Sequence, residues 1–238
     1  LVGGVMAQFV NDHQLLNRPN RFLIGVDYGV QNDDRQRFNN NLGKRGSLNL
    51  NQIERVHSIG PFVRNEWNIS DKLDVVIGGR WDWLHYQVKD QFKNDGNDTG
   101  SRTVSQGSGS AGLVYHVTSQ QQLYAHTATV FEAPTTTELL NNPAGRGGFN
   151  PNLNPQTSLS SELGFRGNTA GFQYDTAVFF IKTWDEITPF ELPSSPGRAF
   201  FRNAGQSRRI GVETRLATPE WKGLRGEISY TYSDFEFE

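Results

Sequence analysis

Cysteine is absent from the 238 residues, so no disulfide framework, thiolate metal site or cysteine nucleophile is available. Long apolar runs are missing as well. Nothing approaches the ~18 consecutive apolar residues of a membrane-crossing helix. A strong charge of one sign is also lacking: the formal net charge is -2, without the basic excess usual in nucleic-acid proteins. Helical periodicity is nearly absent, and no repeat of fixed period appears, which disfavours propellers and β-helices. Leu1 to Val10 carry no basic leader and no initiator Met, and the chain stops at Phe235-Glu236-Phe237-Glu238 without a turn. Both ends read as cuts through a longer protein.

Glycine (25 residues) and aromatics (12%) are plentiful, although only 35% of residues are hydrophobic. Low mean hydropathy does not exclude a membrane, because a barrel strand meets lipid only at every second residue. Period-two alternation, the strand signal, recurs along the chain. Ile210, Val212, Thr214 and Leu216 fall opposite Arg209, Gly211, Glu213 and Arg215. Leu224, Ile228, Tyr230 and Tyr232 oppose Arg225, Glu227, Ser229, Thr231 and Ser233. Leu159, Leu163 and Phe165 oppose Ser158, Ser160, Glu162 and Arg166. Phe22 to Gly29 and Ser110 to Val117 alternate in the same way.

Connections give a second signal. Short links at 69–72, 118–121, 168–170 and 218–222 alternate with long polar ones at 31–55, 89–102, 132–157 and 185–199. The 11–20 link is of intermediate length and belongs with the short ones. An up-and-down barrel in an asymmetric membrane has tight turns on one rim and long loops on the other. Strand length separates this from a soluble β-sandwich. Leu73–Val88 and Gly171–Trp184 exceed the ~5–6 residues usual in soluble strands and reach the ~9–11 needed to cross a membrane at a tilt. Aromatics near strand ends (Trp81, Trp83, Tyr86, Trp184, Trp221) suit interfacial girdles. The expected fold is all-β: an antiparallel up-and-down transmembrane β-barrel, here a partial, open barrel of about ten strands.

No catalytic constellation stands out. The five histidines (His13, His57, His85, His116, His126) lack metal-ligand spacing, so no metal or cofactor is expected. The run 94–100 lacks the closing Glu of a calcium loop and reads as a hairpin tip. The Gly/Ser-rich stretch 107–112 is not followed by a helix and is no phosphate cradle. Arg80, Asp82, Glu162, Arg166, Arg209, Glu213, Arg215, Arg225 and Glu227 share strands with apolar residues on the opposite face. The basic ones would cost several kcal/mol against lipid, so these side chains are expected to face a wet lumen and pair across strands. Selectivity is expected in the long loops, at Arg146, Phe149 and Asn150, and at Phe190, Arg198, Phe200 and Arg202. Arg binds oxygen pairs of anionic chelates, and aromatics add stacking.

Several stretches taken in order resemble the TonB-dependent receptors, mostly the iron-complex branch. Gly60-Pro61-Phe62-Val63-Arg64-Asn65-Glu66-Trp67, Ser70-Asp71-Lys72-Leu73 and Gly78-Gly79-Arg80-Trp81-Asp82 resemble that family's strand, periplasmic turn and next strand. Tyr124-Ala125, Phe131-Glu132-Ala133-Pro134-Thr135 and Glu138-Leu139 follow. Next come Asn150-Pro151-Asn152-Leu153-Asn154-Pro155 with Ser158 and Glu162-Leu163-Gly164, where Gln156 replaces the common Glu. Phe201-Arg202-Asn203-Ala204-Gly205, Gly211-Val212-Glu213 and Ser229-Tyr230-Thr231-Tyr232 complete the series.

The resemblance implies a barrel of roughly 22 strands around a plugged lumen. It also implies TonB-energised uptake of a ferric siderophore or similar iron chelate across the bacterial outer membrane, with no enzyme activity. Residues 1–238 would then be part of one barrel domain, without the N-terminal plug that contacts the TonB complex and without the final strands. The inward charges would also seat the plug. The alternatives are uptake of cobalamin or an oligosaccharide by the same machinery, a passive porin, or an outer-membrane enzyme.

Overall fold

The computed structural model describes residues 1–94, 96–145 and 147–238. Ten strands form one antiparallel sheet: β1 (Val2–Leu15), β2 (Arg18–Asn41), β3 (Lys44–Ser70), β4 (Leu73–Asp90), β5 (Gly100–Thr118), β6 (Gln121–Glu132), β7 (Gln156–Thr169), β8 (Phe172–Trp184), β11 (Gln206–Ala217) and β12 (Glu227–Phe237). Each strand pairs with its neighbour in sequence, except that β8 pairs with β11 across a separate hairpin, β9 (Ile187–Leu192) and β10 (Ser195–Asn203). The sheet is open, with β1 and β12 as its edges, as expected from the sequence. One short helix, α1 (Thr136–Leu140), lies in the β6–β7 connection.

Tight turns set the register on the lower rim. Leu16-Asn17 and Ala170-Gly171 both have positive φ at each central position, the primed turn geometry whose twist matches paired strands. The 11–20 link is therefore shorter than expected: β1 runs on to Leu15 and two residues turn it. A larger correction concerns 31–55, expected to be a long loop. It is strand throughout, turned at Leu42-Gly43 (φ 51° and 83°), so β2 and β3 reach 24 and 27 residues. Residues 33–51 pair only within the β2–β3 hairpin, because β1 meets β2 no further than Gln31 and β4 meets β3 no further than Gln52. They form a two-stranded arm above the sheet. Cross-strand side chains hold it: Asn39 donates to Ser47 (2.8 Å), Asn49 to Asn39 (2.6 Å), and Arg37 to Asn49 (3.2 Å). The last strand begins at Glu227, so Leu224 and Arg225 precede it, with Leu224 bridged to Trp221 in the turn.

Directly paired residues of an antiparallel sheet share a face, and the register sorts the faces cleanly. Leu113, Ala125, Leu163, Val178, Val212 and Tyr232 form one continuous row across six strands. Leu73, Tyr115, Leu123, Phe165, Thr176, Thr214 and Tyr230 form the next row on the same face. These apolar side chains are not covered by protein: Leu163 is 57% and Val178 52% exposed. A soluble sheet of this size would cover such a face, so an apolar surroundings is its fitting solvent. Trp83 lies ten residues along β4 from Leu73, the partner of Tyr115. At ~3.3 Å per residue and a tilt of ~40°, the two aromatic levels are roughly 25 Å apart, the height of a barrel's apolar band.

The opposite face carries Arg80, Asp82, Glu162, Arg166, Arg209, Glu213, Arg215 and Glu227, all on the alternate register. Slipping β11 by one residue would turn Arg209 onto the apolar face well inside the band, at ~2–4 kcal/mol, and Arg215 onto its lower edge, at ~0–1 kcal/mol. The buried hydrophobic cluster is small and lies at the upper rim. Tyr86, Val104, Leu139 and Leu153 pack where the β6–β7 connection folds over the polar face.

Candidate functional site

Two clusters of polar chemistry stand on the polar face. The first is centred on Arg80. Its guanidinium donates to both carboxylate oxygens of Asp82 (2.7–2.9 Å), pairs with Asp27 of β2, and lies 5.7 Å from the Phe62 ring. Gly60 makes room for this: a Cβ there would fall on the guanidinium and within 2.5 Å of Asp82 Oδ1.

The second cluster crosses the sheet toward the lower rim. Asp74 and His116 Nε2 are 2.7 Å apart, and Gln122 Nε2 and His116 Nδ1 are 3.4 Å apart. Arg166 donates to Gln122 (3.0 Å) and lies over Tyr124 (5.2 Å), whose hydroxyl donates to Asp175 (3.1 Å). Arg215 grips Glu227 with two hydrogen bonds (2.9 and 2.8 Å), and Arg225 reaches Gln173 (2.8 Å). Glu162, Glu213 and Asp175 border a concavity of about 360 Å³ beside Tyr124. Arg209 stacks over Phe235 (5.3 Å) and, among the described residues, forms no ion pair. Alternating charges on neighbouring strands thus neutralise much of this face internally.

The upper rim is a folded cap. Thr135 and Glu138 form a capping box that starts α1, satisfying donors that a five-residue helix would otherwise leave open. Tyr86 donates to the Pro134 carbonyl (2.9 Å), Arg102 to that of Asn150, and Arg35 of the arm to Thr137 (2.7 Å). Asn203 ties the β6–β7 connection to β10: it accepts from Asn154 N (2.7 Å) and donates to the carbonyls of Asn154 (2.8 Å) and Asp185 (2.7 Å).

The seven loop residues expected to bind ligand divide by exposure. Asn150 and Phe200 are buried at 3% exposure, and Phe149 packs against Tyr86 (6.5 Å between rings). Arg198 and Arg202 are exposed. Arg198 lies 5.0 Å from Phe200 and donates to Asn141 (3.2 Å), while Arg202 lies 5.1 Å from Phe190. Arg146 lies outside the described residues. Sequence reasoning missed Asp27, Tyr124 and Asp175 on the polar face and Arg35 and Arg102 at the rim, and it read Tyr86 as an interfacial aromatic, whereas the β6–β7 connection buries it (4% exposed). Only the pairing register brings these beside the expected residues. Among the described residues, no group of three or more His, Asp or Glu side chains is arranged to hold a metal ion.

Strand length, segregated faces and tight turns on the lower rim define the wall of an outer-membrane β-barrel. More particularly, the chain belongs to the TonB dependent receptor-like β-barrel family, whose model matches residues 3–238. That family consists of bacterial outer-membrane transporters, not enzymes. Among curated proteins, the chain is 23% identical over 252 residues to a ferric-pyoverdine 358 receptor of Pseudomonas putida, covering 94% of this chain and 29% of that receptor. It is 30% identical over 116 residues to the vitamin B12 transporter BtuB of Vibrio vulnificus, covering 46% of this chain and 17% of the transporter. Among solved structures, the unliganded ferric citrate transporter FecA superposes with a TM-score of 0.77 at 15% identity, covering 99% of this chain and 35% of that one. The alcaligin receptor FauA of Bordetella pertussis gives 0.72 at 16%, covering 99% and 39%. The chain therefore spans under a third of these curated relatives and under two fifths of these solved structures.

Proposed function

We propose that this chain is a wall segment of a receptor that captures a ferric siderophore or similar iron chelate and passes it inward by TonB-energised transport. In this reading residues 1–238 belong to one barrel domain, and a plug and further strands lie elsewhere in the protein. The observation that carries it is the pairing of a bare apolar face with a polar face too rich in charge for lipid. Such a wall encloses a wet lumen, and the polar side chains that Arg80, Arg166 and Arg215 organise are suited to seat a plug. Exposed Arg198 and Arg202, each beside an aromatic ring, suit an anionic chelate. Iron uptake as the activity is favoured by the ferric-pyoverdine receptor, which aligns with nearly the whole chain.

Cobalamin uptake is the second reading, favoured by the higher identity to the vitamin B12 transporter over a shorter stretch. Equilibrium binding to cells displaying the whole receptor separates the two. A labelled ferric siderophore should bind saturably, while cobalamin and a neutral oligosaccharide should not compete. Competition by cobalamin at comparable concentration would transfer the assignment to the second reading.

A further inference from the structure

On the apolar face, the rows beyond the Trp83 level turn polar and basic. Ile59 pairs with Trp83, His57 with His85, Arg55 with Gln87, and Ile53 with Lys89. Tyr28 Oη and His57 Nδ1 are 2.8 Å apart, and so are His85 Nδ1 and Thr103 Oγ1. Charges on this face need compensation, and elsewhere they have it: Lys182 pairs with Glu238 and Arg208 with Glu236. Among the described residues, Arg55 and Lys89 pair with no carboxylate. Arg55 donates only to the side-chain carbonyl of Asn32 (3.3 Å). The nearest acid in register, Asp34, is one strand beyond Lys89 across Ile53 and forms no ion pair. Both cations are exposed, above the apolar rows of the same face.

We propose that Arg55 and Lys89, with His57 and His85 between them and the tryptophan level, form a docking surface for the phosphate groups of an anionic lipid in the outer leaflet. Position selects this occupant. The apolar rows below place acyl chains directly beneath the patch, so the anion that reaches it with least rearrangement is a headgroup on those chains. Arg offers a planar fork to phosphate oxygens, and Lys a point charge beside it. Juxtamembrane cations gain from anionic lipid in the same way. The proposal rests on the upper rim facing the outer leaflet, but not on what the receptor transports.

The test uses the whole receptor in nanodiscs of zwitterionic phospholipid doped with phosphatidic acid, with retained lipids counted by native mass spectrometry. The wild type should retain phosphatidic acid preferentially. The double variant Arg55→Gln, Lys89→Gln should retain about tenfold less, the loss of a charge-assisted contact. The charge-preserving pair Arg55→Lys, Lys89→Arg should keep most of the preference, which controls for misfolding. Arg37→Gln with Lys44→Gln, on the arm, should leave it unchanged. Inorganic phosphate at matched concentration should not displace the lipid. Equal retention by wild type and the Gln variant, or displacement by inorganic phosphate, overturns the proposal. Siderophore binding on the same preparations reports separately on the transport reading.

Discussion

At the scale of single residues, facing decides what a side chain does. Leu163 stands mid-strand in the apolar row between Ala125 and Val178. Leu163→Arg places a charge against lipid one row above the lower aromatic level, and ~1–3 kcal/mol of destabilisation, between the interfacial and midplane costs, is expected from equilibrium unfolding of the receptor in vesicles. Glu162→Gln, one residue away on the polar face, should cost far less. Loop residues separate by burial instead. Arg198→Ala should weaken siderophore binding roughly tenfold to hundredfold, the worth of a charge-assisted hydrogen bond, without changing the amount of folded barrel. Asn150→Ala should act through the cap. Its amide accepts from Asn152 N (3.0 Å) and donates to the Phe201 carbonyl (3.5 Å), so its loss leaves buried groups unpaired at about 1–3 kcal/mol. Faster hydrogen exchange confined to 133–155 would register that. Facing was legible in the sequence, because alternation of Ile210, Val212 and Leu216 with Arg209, Glu213 and Arg215 fixes which residues share a side. Burial in the cap was not. An Asn and two Phe in a polar loop look alike whether they meet ligand or each other, and only contacts across 48 to 51 positions, from Arg102 to Asn150 and Asn150 to Phe201, decide it.

At the scale of elements, the arm is the clearest departure from expectation. Hydrophobic alternation marks a strand only when one face is apolar. Between Asp33 and Asn51 both faces meet water, so the period is written in Asn, Gln, Arg and Ser and does not stand out from a loop. Leu42, 99% exposed with φ 51° in the turn, is also a poor turn residue by composition. What builds the arm is side-chain pairing across the hairpin, a property of two segments at once. Because its strands pair with no third strand, it should be dispensable for assembly. Replacing 36–51 by an Asn-Gly turn should leave heat-modifiable barrel mobility on gels unchanged. Loss of the folded band would instead show that the arm nucleates β2–β3 pairing. In the β6–β7 connection, by contrast, the Thr135/Glu138 spacing did mark a capping box, although the residues were singled out only for family resemblance.

At the scale of the whole molecule, the proposed function gives the two faces and the two rims one direction of traffic. In the proposed receptor the apolar face would fix the wall in the bilayer, the polar face would line the path, and the folded cap with exposed Arg198 and Arg202 would stand at the entrance. Charge on the path is largely paired within the wall, as at Arg80 with Asp82 and Asp27 and at Arg215 with Glu227. Such a surface would hold the proposed plug by many exchangeable polar contacts without binding it irrevocably, which energised release would require. A porin needs no such release. The most direct measurement is therefore uptake of radio-iron siderophore by cells carrying the whole receptor, with and without collapse of the inner-membrane proton gradient. Saturable uptake that stops when the gradient is collapsed, while surface binding persists, is the predicted result. Uptake that continues unchanged without the gradient, and rises linearly with concentration, would contradict the account.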